Sequence, residues 1–160
     1  MKKILIWVAI ILVCLVSSPA MATSGVCTER SLEVYESSAI LTFDCTAGST
    51  DHLYPSTNVS ATSAQYLRGY YIAEVYTIPG STGPTTGTTV VLNTADSPAK
   101  DMLGGVVTCH NTAANRFVPK VDTTNVLYGG STFFGIPALV ISGNSVNSAV
   151  MTVRFILWKN

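Results

Sequence analysis

The amino-acid sequence predicts an all-β chain, a single antiparallel β-sandwich of jelly-roll or Ig-like kind behind an N-terminal leader. Three observations carry this. Apolar and polar residues alternate with a period of two in several short runs. Clusters of Gly, Pro, Asn, Ser and Thr separate those runs at short intervals. No stretch holds the 3.6-residue apolar period of a helix over a useful length.

Residues 1–22 read as a secretory signal peptide. Lys2 and Lys3 begin it, residues 4–16 form an unbroken apolar run, Ser17-Ser18-Pro19 ends the run, and Ala20-Met21-Ala22 offers small residues at a cleavage site. The run falls short of the ~18 apolar residues that span a bilayer, so no stable membrane anchor is expected. Cys14 lies at its end, but Val13 stands where a lipoprotein site needs a small residue. Residues 23–160 are then the exported β-sandwich domain, secreted or extracellular.

Without Lys2 and Lys3 the chain has seven Lys and Arg against nine Asp and Glu, a net charge of −2, with no basic cluster. Nucleic-acid affinity rests on clustered cations neutralising phosphates, so no nucleic acid is expected as a partner. Of the four cysteines, Cys27, Cys45 and Cys109 follow the leader. Outside the cytosol they can oxidise. Cys27–Cys45 is the favoured pair, a bridge stabilising by ~3 kcal/mol on the chain-entropy account. Three buried thiols are the alternative. No CxxC is present, so no zinc site or redox motif is suggested.

The elements follow in order. Residues 40–45 form a short strand. Residues 46–65 are polar and loop-like, with a possible strand at 58–61. Residues 70–78 alternate, with Tyr71, Ala73 and Val75 on one face and Tyr70, Ile72, Glu74 and Tyr76 on the other. Pro79-Gly80 and Gly83-Pro84 stop that strand, since proline cannot donate to a ladder. A strand at 88–93 follows, then a turn at 95–99, a helical turn or bulge at 101–105, and a weak strand at 106–109. Residues 138–142 and 150–158 are the clearest strands, and residues 143–147 read as the hairpin joining them. In the last strand Met151, Val153, Phe155 and Leu157 form an apolar row, opposite Thr152 and Arg154.

Catalytic chemistry finds little support. Cys109 and His110 are neighbours and so point to opposite faces of a strand, and His52 beside Asp51 has the same difficulty. Residues 143–147 approach a GxSxG elbow but lack its second glycine and the strand-to-helix turn it needs. Glu74 and the other carboxylates form no evident acid–base pair. Asp96, Ser97 and Asp101 supply oxygen ligands on one loop, although their spacing matches no EF-hand. The chain is read as a non-enzyme with no cofactor and no metal site. Tyrosines are the binding candidates: Tyr70, Tyr71 and Tyr76 crowd one strand, where aromatic faces can stack on sugars or anchor protein interfaces.

From residue 41 onward the order of landmarks resembles a family of small proteins of tailed bacteriophages, several of them virion or structural components. The matching pieces are Thr42-Phe43-Asp44-Cys45-Thr46-Ala47-Gly48, Gly69-Tyr70-Tyr71-Ile72, Tyr76-Thr77-Ile78-Pro79-Gly80, Gly83-Pro84-Thr85, Asp101-Met102-Leu103-Gly104-Gly105 and Asn111-Thr112-Ala113. Leu139-Val140-Ile141-Ser142-Gly143-Asn144 and Met151-Thr152-Val153-Arg154-Phe155-Ile156-Leu157 complete the series. The leader and the three cysteines lie outside the family's pattern. The resemblance implies a structural protein of a virion, of decoration or tail-associated type, or of an extracellular surface filament. Its partners would be protein, either self or other virion or filament subunits, and it carries no catalytic residue across. The alternative is a secreted ligand-binding module, carbohydrate-binding or adhesive, that meets cell-surface glycan.

Overall fold

The computed structural model describes residues 24–105, 107–122, 127–128 and 131–159. The leader expected at 1–22 and its cleavage point lie outside them. The chain is all-β. Its strands are β1 (Val26–Val34), β2 (Ser38–Thr46), β3 (Thr57–Asn58), β4 (Tyr70–Pro79), β5 (Thr89–Asn93), β6 (Asn115–Phe117), β7 (Lys120–Asp122), β8 (Leu127–Tyr128), β9 (Ala138–Ser142) and β10 (Val150–Lys159), with one helical turn and a half, α1 (Ala61–Tyr66). A five-stranded antiparallel sheet runs β1-β2-β10-β4-β6, a three-stranded one runs β3-β9-β5, and β7 pairs with β8.

Strand β10 sits at the centre of the larger sheet because its alternation is the strictest in the chain. Met151, Val153, Phe155 and Leu157 are buried, while Thr152, Arg154 and Ile156 on the other face are half-buried. Ala39, Leu41, Phe43 and Cys45 of β2 share the buried face, and the Phe43 and Phe155 rings meet edge to face at 6.2 Å. Val90, Leu92, Leu139 and Ile141 from the smaller sheet join them in one core. Fully burying side chains of this size contributes about 1.5–3 kcal/mol each. The inward row expected in the last strand is therefore present.

Three expectations are corrected. Residues 143–147 do not close a hairpin: β9 bonds to β3 and β5, whereas β10 bonds to β2 and β4, so this segment carries the chain from one sheet to the other. The buried Asn144 builds that corner. Its Oδ1 accepts from the Thr85 and Val146 amides at 3.1 and 3.2 Å, and its Nδ2 donates to the His52 and Val146 carbonyls, both at 2.8 Å. A turn with its polar needs met this way has no call for the tight β–β ladder of a hairpin.

The faces of β4 also differ from simple alternation. Ile156 pairs with Glu74 but Leu157 pairs with Ile72, leaving Ala73 without a partner in a β-bulge. The extra residue shifts the phase by one. Tyr70, Ile72, Val75 and Thr77 consequently share the buried face, and Tyr71, Glu74 and Tyr76 the outer one.

The strand considered at 58–61 is reduced to Asn58 in β3, and by Ala61 the chain has entered helix α1. Ser60 caps it, accepting from the Ser63 amide at 3.1 Å. Glu29 of β1 reaches across to accept from the Ser60 amide at 2.8 Å and from the Ser63 hydroxyl. Six residues are too few to show a period, and the group that anchors the turn is far away in the chain. Residues 107–109 run beside β5, as the Val90 amide bonds to the Val107 carbonyl and the Cys109 amide to the Thr88 carbonyl. Val106 lies outside the described residues. Cys27 and Cys45 stand opposite each other on β1 and β2 and are disulfide-bonded, and Cys109 is a free, buried thiol.

Candidate functional site

Several residues with catalytic potential take part in structural contacts. Burial pushes the Cys109 thiol up to about 12, so it is no nucleophile near neutral pH. His110 does not face it: its Nδ1 accepts from the Thr112 and Ala113 amides, both at 3.2 Å, closing the turn at 111–113. His52 offers its carbonyl to Asn144, and the Ser145 hydroxyl lies 2.8 Å from that of Thr85. Asp101 spends its carboxylate on backbone amides of Leu103 and Gly105, at 2.9 and 2.5 Å, holding the tight turn there. Gly104 in that turn has φ of +69°, and a Cβ on it would stand 2.2 Å from the Lys120 carbonyl oxygen. Among the described residues no group of three His, Cys, Asp or Glu is placed to hold a metal ion.

The outer face of the five-stranded sheet is an ionic ladder. Arg30, thrown out by a bulge in β1, pairs with Asp44 at 3.2 Å, and Thr152 donates to the same carboxylate at 2.8 Å. Arg116 clasps Glu74 through two nitrogens, and the Tyr76 hydroxyl adds a bond of 2.8 Å. Those hydrogen bonds, Arg116 first, hold the Glu74 carboxyl down at about 2. Arg154 lies between these groups, its buried Nε without an acceptor.

The candidate tyrosines are not brought together. Tyr70 is buried, with the Lys159 ammonium 5.7 Å above its ring, and Tyr76 is tied to Glu74. Tyr71 lines a groove. Its ring meets Trp158 at 6.3 Å and 75°, and with Ser37, Ser38 and Lys159 the two line a groove of about 400 Å³. Strand register explains the meeting, since Trp158 stands opposite Tyr71 on one side and Ser38 on the other.

More apolar surface lies at the same end. The β1–β2 turn presents Val34 and Tyr35, both about half exposed, between Glu33 and Glu36. On the β4 side, Arg68 lies 5.5 Å from the centre of the Phe134 ring, which is 59% exposed. These two, with Ala61, Ala64 and Ile136, line a second groove of about 320 Å³. Phe134 is held there because Phe133 exchanges hydrogen bonds with the start of β4: its amide bonds to the Tyr70 carbonyl and its carbonyl receives the Gly69 amide. Exposed aromatic rings with flanking charges can stack on a flat ligand or bury against protein.

Trp158 was legible as an outward residue from the alternation of its strand. Arg68 and Phe134 carry no local signal, because a loop residue's neighbours are set by pairings elsewhere. No family model, curated protein or solved structure matches the chain. Among the described residues no helix is long and apolar enough to cross a membrane.

Proposed function

We propose that this chain is a non-enzymatic assembly protein, a two-layer β-sandwich that joins other protein subunits through the aromatic end described above. One observation carries the reading: Val34, Tyr35, Phe134 and Trp158 stand exposed around a single end of the five-stranded sheet. Large apolar side chains grouped on a surface mark interaction sites, and aromatic rings are the usual anchors of protein interfaces. The sandwich architecture, jelly-roll or Ig-like, is supported by the core that side chains from both sheets share. The Cys27–Cys45 bridge supports an oxidising compartment, in keeping with export behind the leader. The order of sequence landmarks favours a virion-type component, of decoration or tail-associated kind, over a surface filament.

A second reading has its own observation. Tyr71 and Trp158 with the Ser37, Ser38 and Lys159 polar groups would also suit a sugar ring, as a secreted glycan-binding module requires. Fractionation of a producing culture separates the two. Co-sedimentation of the protein with particles or filaments, lost in Trp158→Ala, is the expected result. A protein absent from particles yet retained on a glycan array would replace the assembly reading with the second.

A further inference from the structure

We infer that the partner meeting this end is a second copy of the chain, related by a twofold axis that passes near the Ser38–Trp158 pair. The inference deepens the assembly reading and rests on it. Its ground is the order of charge across the patch. On the β1–β2 side, Glu33 and Glu36 flank Val34 and Tyr35, and all four are exposed. On the β4 side stands the exposed Arg68 over Phe134, and the exposed Lys159 closes β10 with its ammonium over the ring of Tyr70 in β4. Tyr71 and Trp158 fill the space between.

The patch therefore runs from acid through aromatic to base, and such an order is complementary to itself when turned by half a rotation. A twofold interface brings residue i against j and j against i. Strands β1 and β4 are three positions apart in the sheet, roughly 14 Å at the usual strand spacing. The midpoint falls between β2 and β10, where Ser38 pairs with Trp158. An axis there sets the acidic turn of each copy against the Arg68–Phe134 groove of the other. The Tyr35 ring is of a size to enter that groove, and its hydroxyl, donating to Glu33 at 3.0 Å, holds a carboxylate beside it for Arg68. The two Trp158 rings meet at the centre, where the anchors of an interface are normally found. A head-to-tail contact would leave half of each patch open, whereas the twofold closes both.

The opposite end has no such order. Among the described residues Val26 and Leu53 are exposed there, where the chain enters β1, with no comparable grouping of exposed rings.

The test is the mass of the purified secreted chain by light scattering and sedimentation across concentration. A two-chain mass is expected, with the dissociation constant raised on the order of tenfold or more in Trp158→Ala. Charge exchange probes the symmetry. Glu33→Lys and Arg68→Glu should each weaken the dimer roughly fivefold or more, and one chain carrying both should recover most of the loss. Thermal unfolding of each variant confirms that these exposed changes leave the fold intact. A single-chain mass up to on the order of 100 μM, or a dimer indifferent to all three substitutions, overturns the inference. If such a monomer still co-sediments with particles in a Trp158-dependent way, the assembly reading survives without the twofold. If neither behaviour responds to Trp158→Ala, both fall.

Discussion

Asn144 shows how much one polar side chain can hold. It joins three loops, those carrying His52, Thr85 and Val146, using both ends of its amide. Removing it leaves two donors and two acceptors unmet in a buried corner, at about 1–3 kcal/mol for an unsatisfied group. Asn144→Ala should therefore destabilise the fold by roughly 2–3 kcal/mol, read as a lower urea midpoint with unchanged slope. Glu74 offers a pH test at the same scale. Its ordinary value is 4.5 and its folded value about 2. Between those values the unfolded chain binds a proton that the folded chain refuses, so falling pH favours unfolding. The stabilisation is complete above 4.5 and fades toward 2. As the pair is on the surface and screened by solvent, its contribution is small. Urea midpoints of Glu74→Gln should fall less steeply between pH 4.5 and 2 than those of the parent, and added salt should shrink the difference.

Among the elements, β10 decides most. Bonded to β2 on one side and β4 on the other, it has a buried face of Met151, Val153, Phe155 and Leu157. Phe155→Ala removes a ring packed against Phe43 and should cost about 3–5 kcal/mol. Thr152→Ala loses only the hydrogen bond to Asp44 and should cost about 1 kcal/mol. Thermal melts of the two variants compare them directly, and equal shifts would contradict the burial. Strand β1 is the long edge of the sheet, and it carries the protections expected of one: a bulge at Arg30, charged side chains at Glu29 and Glu33, and the Thr57 hydroxyl on its Cys27 carbonyl at 2.9 Å.

For the whole molecule, connectivity sets the folding behaviour. Within the five-stranded sheet only β1 and β2 are neighbours in both sequence and space, while β2 must find β10 from the far end of the chain. Loop closure precedes the reward of such pairings, which slows folding to the millisecond-to-second range typical of β-rich domains. A chain shortened by its last eleven residues loses the centre of the sheet. It is expected to give no cooperative thermal transition, in contrast to the full chain. Calorimetry of the truncated and full chains measures this.

Local pattern alone was enough for the all-β class, for the places of β2, β4, β5, β9 and β10, and for the inward row of β10, because alternation and turn residues act between near neighbours. The Cys27–Cys45 pair was also favoured from the sequence, and β-pairing then set the two opposite each other. Partner choice was not legible: β9 and β10 look like a hairpin until each is seen bonded within a different sheet. Nor was the bulge at Ala73, which exists only relative to β10 and brings Tyr70 and Val75 onto the same face. Helix α1 depends on Glu29, 31 residues before Ser60. The aromatic end depends on register as well, since it takes the pairing of three strands to place Trp158 beside Tyr71 and Ser38, and a loop bonded to β4 to bring Phe134 to Arg68. Contacts between residues far apart in the chain are chosen by the packing of the whole, and no window of sequence contains both members of the pair.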